Sequence, residues 1–140
     1  MAAMARRVAV LDSSVLIQHA RVRDKRRSYF VRSLSAYNPS LSVITVYELE
    51  FGACRAGRQS DIETLRTSFD ILPVTKNIAQ RAAALDADLI HQNIQIGIKD
   101  TFIAATCLVH DLPLITINSK HFNRIQGLHL VDLDSLPNVE

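Results

Sequence analysis

Glycine and proline are scarce in this chain, four of each in 140 residues, which excludes collagen-like repeats, low-complexity tracts and a flexible interdomain linker. Cysteine is scarcer still. Cys54 and Cys107 lie far apart and form no Cys-x-x-Cys pair, so both are expected to be reduced core thiols of a cytoplasmic protein. His19, His91, His110, His121 and His129 show no zinc-type spacing and are expected on the surface or in turns. The longest apolar run, FIAATCLV from Phe102 to Val109, is less than half of a bilayer span, so no membrane partner is expected. A Gly-rich phosphate loop and a G-x-S-x-G nucleophile elbow are both missing.

What is present suits one globular domain over residues 1–140, since 48% of the residues are hydrophobic and 21% charged. Arg6 and Arg7 before VAVLDSSVLI imitate a secretion signal, but Asp12 interrupts the apolar run, and a buried strand ending in a polar turn fits better. Net charge is only +2, yet Arg21, Arg23, Lys25, Arg26, Arg27 and Arg32 cluster against the single Asp24, leaving the remainder net negative. Such a stretch fits phosphate binding and a merely solvated helix face equally well.

Periodicity alternates between strand and helix along the whole chain. Val8 to Leu11 has the uninterrupted apolar character of a strand covered on both faces, with a helix starting at Ser13 or Ser14. Ser28 to Tyr37 is expected to be helical, ended by Asn38 and Pro39, with Leu41 to Ile44 as the next strand. Thr45 and Glu48 match a capping box opening a helix towards Gly57, and Ser60 and Glu63 repeat that pattern. Ile71 to Val74 fits a brief extended segment. From Thr75 to about Asn93 the positions Ile78, Ala82, Leu85 and Leu89 trace one helical stripe. Asp100 is placed as the N-cap of a helix from Thr101 to His110, followed by strands at Leu114 to Ile117 and Leu128 to Leu133 around a turn at Asn118 to Phe122. The expected fold is α/β: a three-layer, Rossmann-like α/β/α arrangement on a mostly parallel sheet, which binds ligands at the carboxyl ends of its strands.

Asp12 follows the first strand directly, Glu48 lies a helical turn beyond the second, and Asn118 follows the strand from Leu114. Asp100 opens a helix that must pack on the same sheet, so three carboxylates can meet at one edge. Two like charges about 4 Å apart repel by about 4 kcal/mol at an effective dielectric near 20, and a helix dipole offsets only about 0.3–1 kcal/mol of that. A hard divalent cation, Mg2+ or Mn2+, balances such a site and supplies hydrolytic chemistry at a phosphodiester. Capping by itself accounts for each acid separately, and their joint position is what favours the site.

The stretches VAVLDSSVLI around Asp12, LSVITVYELEFGA around Glu48 and IGIKDTFIAATCLVHDLPLITINSKHFNRIQGLHLVDL around Asp100 resemble, in this order, the PIN-domain nucleases. Within them the chain is most similar to VapC-type toxins of toxin–antitoxin pairs. The resemblance implies a PIN-like fold and an acidic triad of Asp12, Glu48 and Asp100 that holds Mg2+ or Mn2+ for endoribonucleolytic cleavage. It also implies a small cognate antitoxin as partner and a homodimer. Thr116 and Asn118 are expected either to position the acids or the attacking water or to make ordinary turn hydrogen bonds, and Arg21, Arg23, Lys25, Arg26 and Arg27 either to neutralise RNA phosphates or to dock an acidic antitoxin segment. Three positions depart from the family pattern: Asn118 stands where many members carry a fourth acid, Ile117 where arginine is frequent, and His121 where an acid is common. The missing acid at Asn118 keeps open a catalytically weak or inactive module that binds RNA or a protein. A phosphatase of similar topology is disfavoured, because LDSS lacks the second aspartate such an enzyme needs.

Overall fold

The computed structural model describes residues 6–140, and its organising unit is a sheet of four parallel strands in the order β3-β2-β1-β4. The chain runs β1 (Arg7–Leu11), α1 (Ser13–Arg21), α2 (Tyr29–Ser33), β2 (Tyr37–Ser42), α3 (Val43–Ala56), α4 (Leu65–Ser68) and β3 (Asp70–Leu72). It continues through α5 (Lys76–His91), α6 (Ile98–His110), β4 (Leu114–Ile115) and α7 (Ser119–Phe122). Successive residues of a strand face opposite sides, and this sheet uses both. Ala9, Leu11, Leu41 and Ile115 pack with Val15 and Leu16 of α1 and with Tyr29 and Phe30 of α2. Val10 and Leu114 point the other way, onto Ile103, Ala104 and Cys107 of α6 and onto Phe122 of α7. These are the three layers expected from alternating strands and helices. The stripe Ile78, Ala82 and Leu89 of α5 is buried, with Ile78 and Ala82 packed against Ala105 of α6. Among the described residues no helix is long and apolar enough to cross a membrane.

Several boundaries differ from the sequence expectation. The helix starting after Ser28 stops at Ser33, and Tyr37, Asn38 and Pro39 belong to β2, where they pair with Arg7, Val8 and Ala9. Parallel pairing with β1 overrides a helical periodicity that only one apolar face supported. Pro39 is tolerated because β3 joins only from Ser40 onward, so the proline sits where β2 still has a free edge. The expected strand at Leu128 to Leu133 is reduced to a single bridge, Leu114 to Leu130, before a 3-10 turn at Leu133–Ser135.

Capping differs as well, with consequences for the site. The N-cap of α3 is Ser42, fully buried, whose Oγ accepts from the Ile44 amide at 3.1 Å. Thr45 therefore lies inside the helix, and its buried Oγ1 has no hydrogen-bond partner. Glu48 is not the far half of a capping box. Ser60 and Glu63 form none either, since the 3-10 turn Gln59–Ile62 starts from Arg58 without a side-chain cap. Gly97, not Asp100, caps α6, at a φ of 94° that suits glycine, so Asp100 falls in the first helical turn. Of the two thiols, Cys107 is buried as expected, whereas Cys54 is exposed on α3.

The orphaned Thr45 hydroxyl is a removable cost. Thr45→Val is expected to raise the free energy of unfolding by about 1 kcal/mol, read from urea melts with an unchanged slope. A loss of similar size would show that the hydroxyl is bonded in solution.

Candidate active site

Asp12 leaves the end of β1 at 2% exposure and occupies the N-cap position of α1 without capping it. Its backbone amide donates to the Ile115 carbonyl at 3.0 Å, which locks the end of β1 to the end of β4. Its carboxylate is held from two sides, from α1 and from the residue after β4: Ser14 Oγ donates to Oδ2 at 2.8 Å and Thr116 Oγ1 donates to the same oxygen at 2.7 Å. Each hydroxyl is itself fixed by the backbone after β4, Ser14 Oγ accepting from Ile117 at 3.1 Å and Thr116 Oγ1 accepting from Asn118 at 3.0 Å. Among the described residues no donor reaches Oδ1.

Glu48 projects from the second turn of α3 beside the start of α1. Ser13 Oγ donates to Oε1 at 3.4 Å, and Lys99 Nζ lies 3.9 Å from Oε2. Burial pushes the Glu48 carboxyl above its ordinary range, and the negative charges of Asp12 and Asp100 push it further, against the opposing pull of Lys99. Asp100 is raised for the same first reason, burial, and by the charge of Asp12, while its contact with His121 works in the other direction. Asp12 is also felt inside the core: burial, aided by that charge, drives the Cys107 thiol up to about 12, which leaves it inert.

Asp12, Glu48 and Asp100 thus come from three elements and lie near enough for the charge of Asp12 to act on both other acids. Among the described residues, however, no three His, Cys, Asp or Glu side chains stand close enough together, as placed, to hold an ion. Each carboxylate is turned to a donor of its own: Asp12 to Ser14 and Thr116, Glu48 to Ser13 and Lys99, Asp100 to His121. The donor chemistry nonetheless fits a hard divalent cation, since the three acids offer carboxylate oxygens only.

Sequence reasoning placed Thr116 and Asn118 in support. Thr116 bonds Asp12 directly, whereas Asn118 takes part through its backbone amide. It missed four residues. Ser13 and Ser14 were read only as a helix start, although a serine two residues after a buried aspartate is placed to bond it. Lys99 and His121 left no spacing signal, because their partners lie far away in the chain. His121, expected as an ordinary surface or turn residue, has its Nδ1 2.7 Å from Asp100 Oδ2.

The basic stretch is not one helix. It comprises the end of α1, a loop and a 3-10 turn at Lys25–Arg27. Lys25 Nζ donates to the carbonyls of His19 and Ala20 at the end of α1, and Arg26 pairs with Asp24 at 3.2 Å. Arg32 reaches the Leu136 carbonyl at 2.9 Å and fastens the C-terminal segment. Arg21, Arg23 and Arg27 stay exposed, and Arg21 lines a groove with Ser14, Ile17 and Ile117 that leads to the Asp12 edge.

Comparison with known proteins finds relatives of this chain in sequence and in fold. The PIN domain family model matches residues 9–128. The chain is 33% identical over 135 residues to Ribonuclease VapC1 of Rickettsia felis, an alignment covering 90% of this chain and 96% of that protein. Its fold superposes on VapBC-1 from nontypeable Haemophilus influenzae with a TM-score of 0.78, 27% identity and coverage of 91% and 98%. A toxin–antitoxin complex from Klebsiella pneumoniae gives a TM-score of 0.69 at 28% identity, covering 89% and 97%.

The raised carboxyls set a pH dependence. An unfolded chain sheds these protons near the ordinary values of 4.5 for Glu48 and 3.8 for Asp100, whereas the folded chain holds them to higher pH. The stability these groups contribute is therefore complete below about pH 4 and lost as pH rises through the folded values. Urea unfolding in chelator across the range from about pH 4 to 8 is expected to show a shallower fall for Glu48→Gln than for the wild type. Parallel curves would contradict the shared neighbourhood of the acids.

Proposed function

Since the chain belongs to the PIN-domain family, we propose that it is a divalent-metal-dependent endoribonuclease that cleaves RNA phosphodiester bonds as the toxin of a toxin–antitoxin pair. The observation that carries this reading is the gathering of three partly or fully buried acids, Asp12, Glu48 and Asp100, with the charge of Asp12 acting on both of the others. Asp12 and Asp100 would hold the cation, Mg2+ or Mn2+, and Glu48 would bind it or orient the attacking water. The bound ion would supply charge neutralisation and a water acidic enough to attack phosphorus near neutral pH.

The chain's own residues do the rest. Ser14 and Thr116 fix the Asp12 carboxylate so that its free oxygen keeps one orientation. Glu48, its affinity for protons raised by burial and by the neighbouring acids, is suited to take a proton from the attacking water. Lys99, half-exposed beside it, is placed to pair with a phosphate oxygen. Water attack displaces the sugar oxygen directly, so no side-chain nucleophile is required. Arg21 in the groove and the exposed Arg23 and Arg27 would neutralise RNA backbone charge, and a single strand enters a sheet-edge site more readily than a duplex. A homodimer would cover part of the exposed apolar stripe Val43, Tyr47 and Phe51 on α3, and an antitoxin would shield the acids until released. Like its RNA, the protein would reside in the cytoplasm.

Asp12→Asn, Glu48→Gln and Asp100→Asn are each expected to keep the wild-type circular dichroism spectrum while lowering Mg2+- or Mn2+-dependent RNA cleavage by about 100-fold or more. Wild-type protein that binds RNA but cleaves none with either ion would overturn the proposal in favour of a binding module. In the Asp12→Asn background, alanine at Arg21, Arg23 or Arg27 is expected to reduce the salt slope of single-stranded RNA binding by about 0.7 per residue. Arg32→Ala should instead lower stability and leave the slope unchanged, because its guanidinium is spent on backbone carbonyls.

A further inference from the structure

We propose that the groove between α1 and Ile117 is a nucleobase subsite that selects uracil or guanine in the RNA strand, with Gln18 as the residue that reads the base; this rests on the ribonuclease reading of the Asp12 edge. The groove measures about 390 Å3 and is lined by Ser14, Ile17, Gln18, Arg21, Val22 and Ile117. Ser14, Ile17, Gln18 and Arg21 follow the i, i+3, i+4, i+7 spacing of one face of α1, and Val22 caps the end of that helix. Ile117 forms the opposite wall. Its amide donates to Ser14 Oγ at 3.1 Å, which fixes that wall against the helix.

The position of the groove names its occupant. Ser14 Oγ also donates to Asp12 Oδ2 at 2.8 Å, so the groove begins one side chain away from the acids. Arg21 stands at its other end, seven residues or about 10 Å further along the helix, where it meets a different phosphate of the same strand. A base carried between those two phosphates falls into the groove. Its walls suit the faces of such a base, because Ile17 and Ile117 are 40% and 39% exposed beside an otherwise polar edge, and unstacked bases seat between apolar side chains. A duplex keeps its bases stacked inward and cannot fill the groove in this way.

Selectivity comes from Gln18. Its Oε1 accepts from the Tyr29 amide at 3.2 Å. A backbone amide can only donate, so the carbonyl end of the carboxamide is committed to Tyr29 and the Nε2 end is left as a donor. Among the described residues Nε2 has no hydrogen-bond partner. Ser14 Oγ already gives its proton to Asp12 and receives one from Ile117, and the Arg21 guanidinium holds donors alone. The groove therefore presents donors to a base edge. An exocyclic carbonyl, as on uracil or guanine, finds a partner there, whereas the exocyclic amino group of cytosine or adenine faces another donor and is left unpaired.

The test compares short oligouridylate with oligocytidylate, two pyrimidine strands of equal size. Binding is read by fluorescence anisotropy on the full chain carrying Asp12→Asn, which suppresses cleavage, without added metal. Oligouridylate is expected to bind about fivefold tighter. Gln18→Glu keeps an oxygen for the Tyr29 amide and exchanges the donor for an acceptor. It is expected to abolish or invert the preference, whatever its added charge does to both strands alike. Ile17→Ala and Ile117→Ala are expected to weaken both strands about fivefold with an unchanged salt slope, as apolar contacts do. Equal affinity for the two strands before substitution, a preference that survives Gln18→Glu, or undiminished binding in both isoleucine variants would overturn the subsite and leave the ribonuclease reading standing. Failure to bind either strand would overturn the ribonuclease reading together with this one.

Discussion

Asp12 sits almost sealed from water at the point where β1 gives way to α1, and a charge in that position has to be answered at short range. Two hydroxyls answer it, one from the first turn of α1 and one from the residue after β4, and both land on one oxygen. The cost of burying a carboxylate is thereby reduced without a cation from the protein, and the second oxygen keeps its capacity to bind. The lock also joins β1 to β4, so the same contacts that solvate the acid define the edge on which the other acids must arrive.

That edge is reached by freeing Glu48 and Asp100 from local duties. Because Ser42 caps α3, Glu48 need not reach back to its own helix end and can face α1. Because Gly97 caps α6, Asp100 lies inside the first turn, where the helix dipole favours its charge and its side chain can meet a residue of α7. Caps placed one turn away would have absorbed both carboxylates as structural groups. The partners nearby, Lys99 on Glu48 and His121 on Asp100, are half-exposed.

Where a pattern was long and one-sided, the sequence was a good guide. The stripe of α5 and the apolar core of α6 are buried much as their periodicity implied, and β1 ends where Asp12 interrupts its run. Where a segment was short, pairing decided. Tyr37 shares helical spacing with Tyr29 and Phe30, yet β1 offers it a parallel partner, and the hydrogen bonds of a sheet outweigh a helix with few turns to its credit. Leu128 to Leu133 has strand character but meets β4 at only one residue, because β4 itself is two residues long. The positive run from Arg21 to Arg32 looked uniform in charge, and only packing divides it into residues that close helix ends and residues left free.

By itself, the order of residues determined the alternation of strand and helix, the parallel sheet this demands, and hence the edge where Asp12 and the residues after β4 must lie. Those features follow from local periodicity and the handedness of the backbone, which act over a few residues at a time. Which donor each acid meets was decided only in three dimensions. Thr116 on Asp12, Lys99 near Glu48 and His121 on Asp100 join residues brought together by the packing of α3, α6 and α7 around the sheet. No spacing along the chain encodes such contacts, because the distance between partners depends on how whole elements cross.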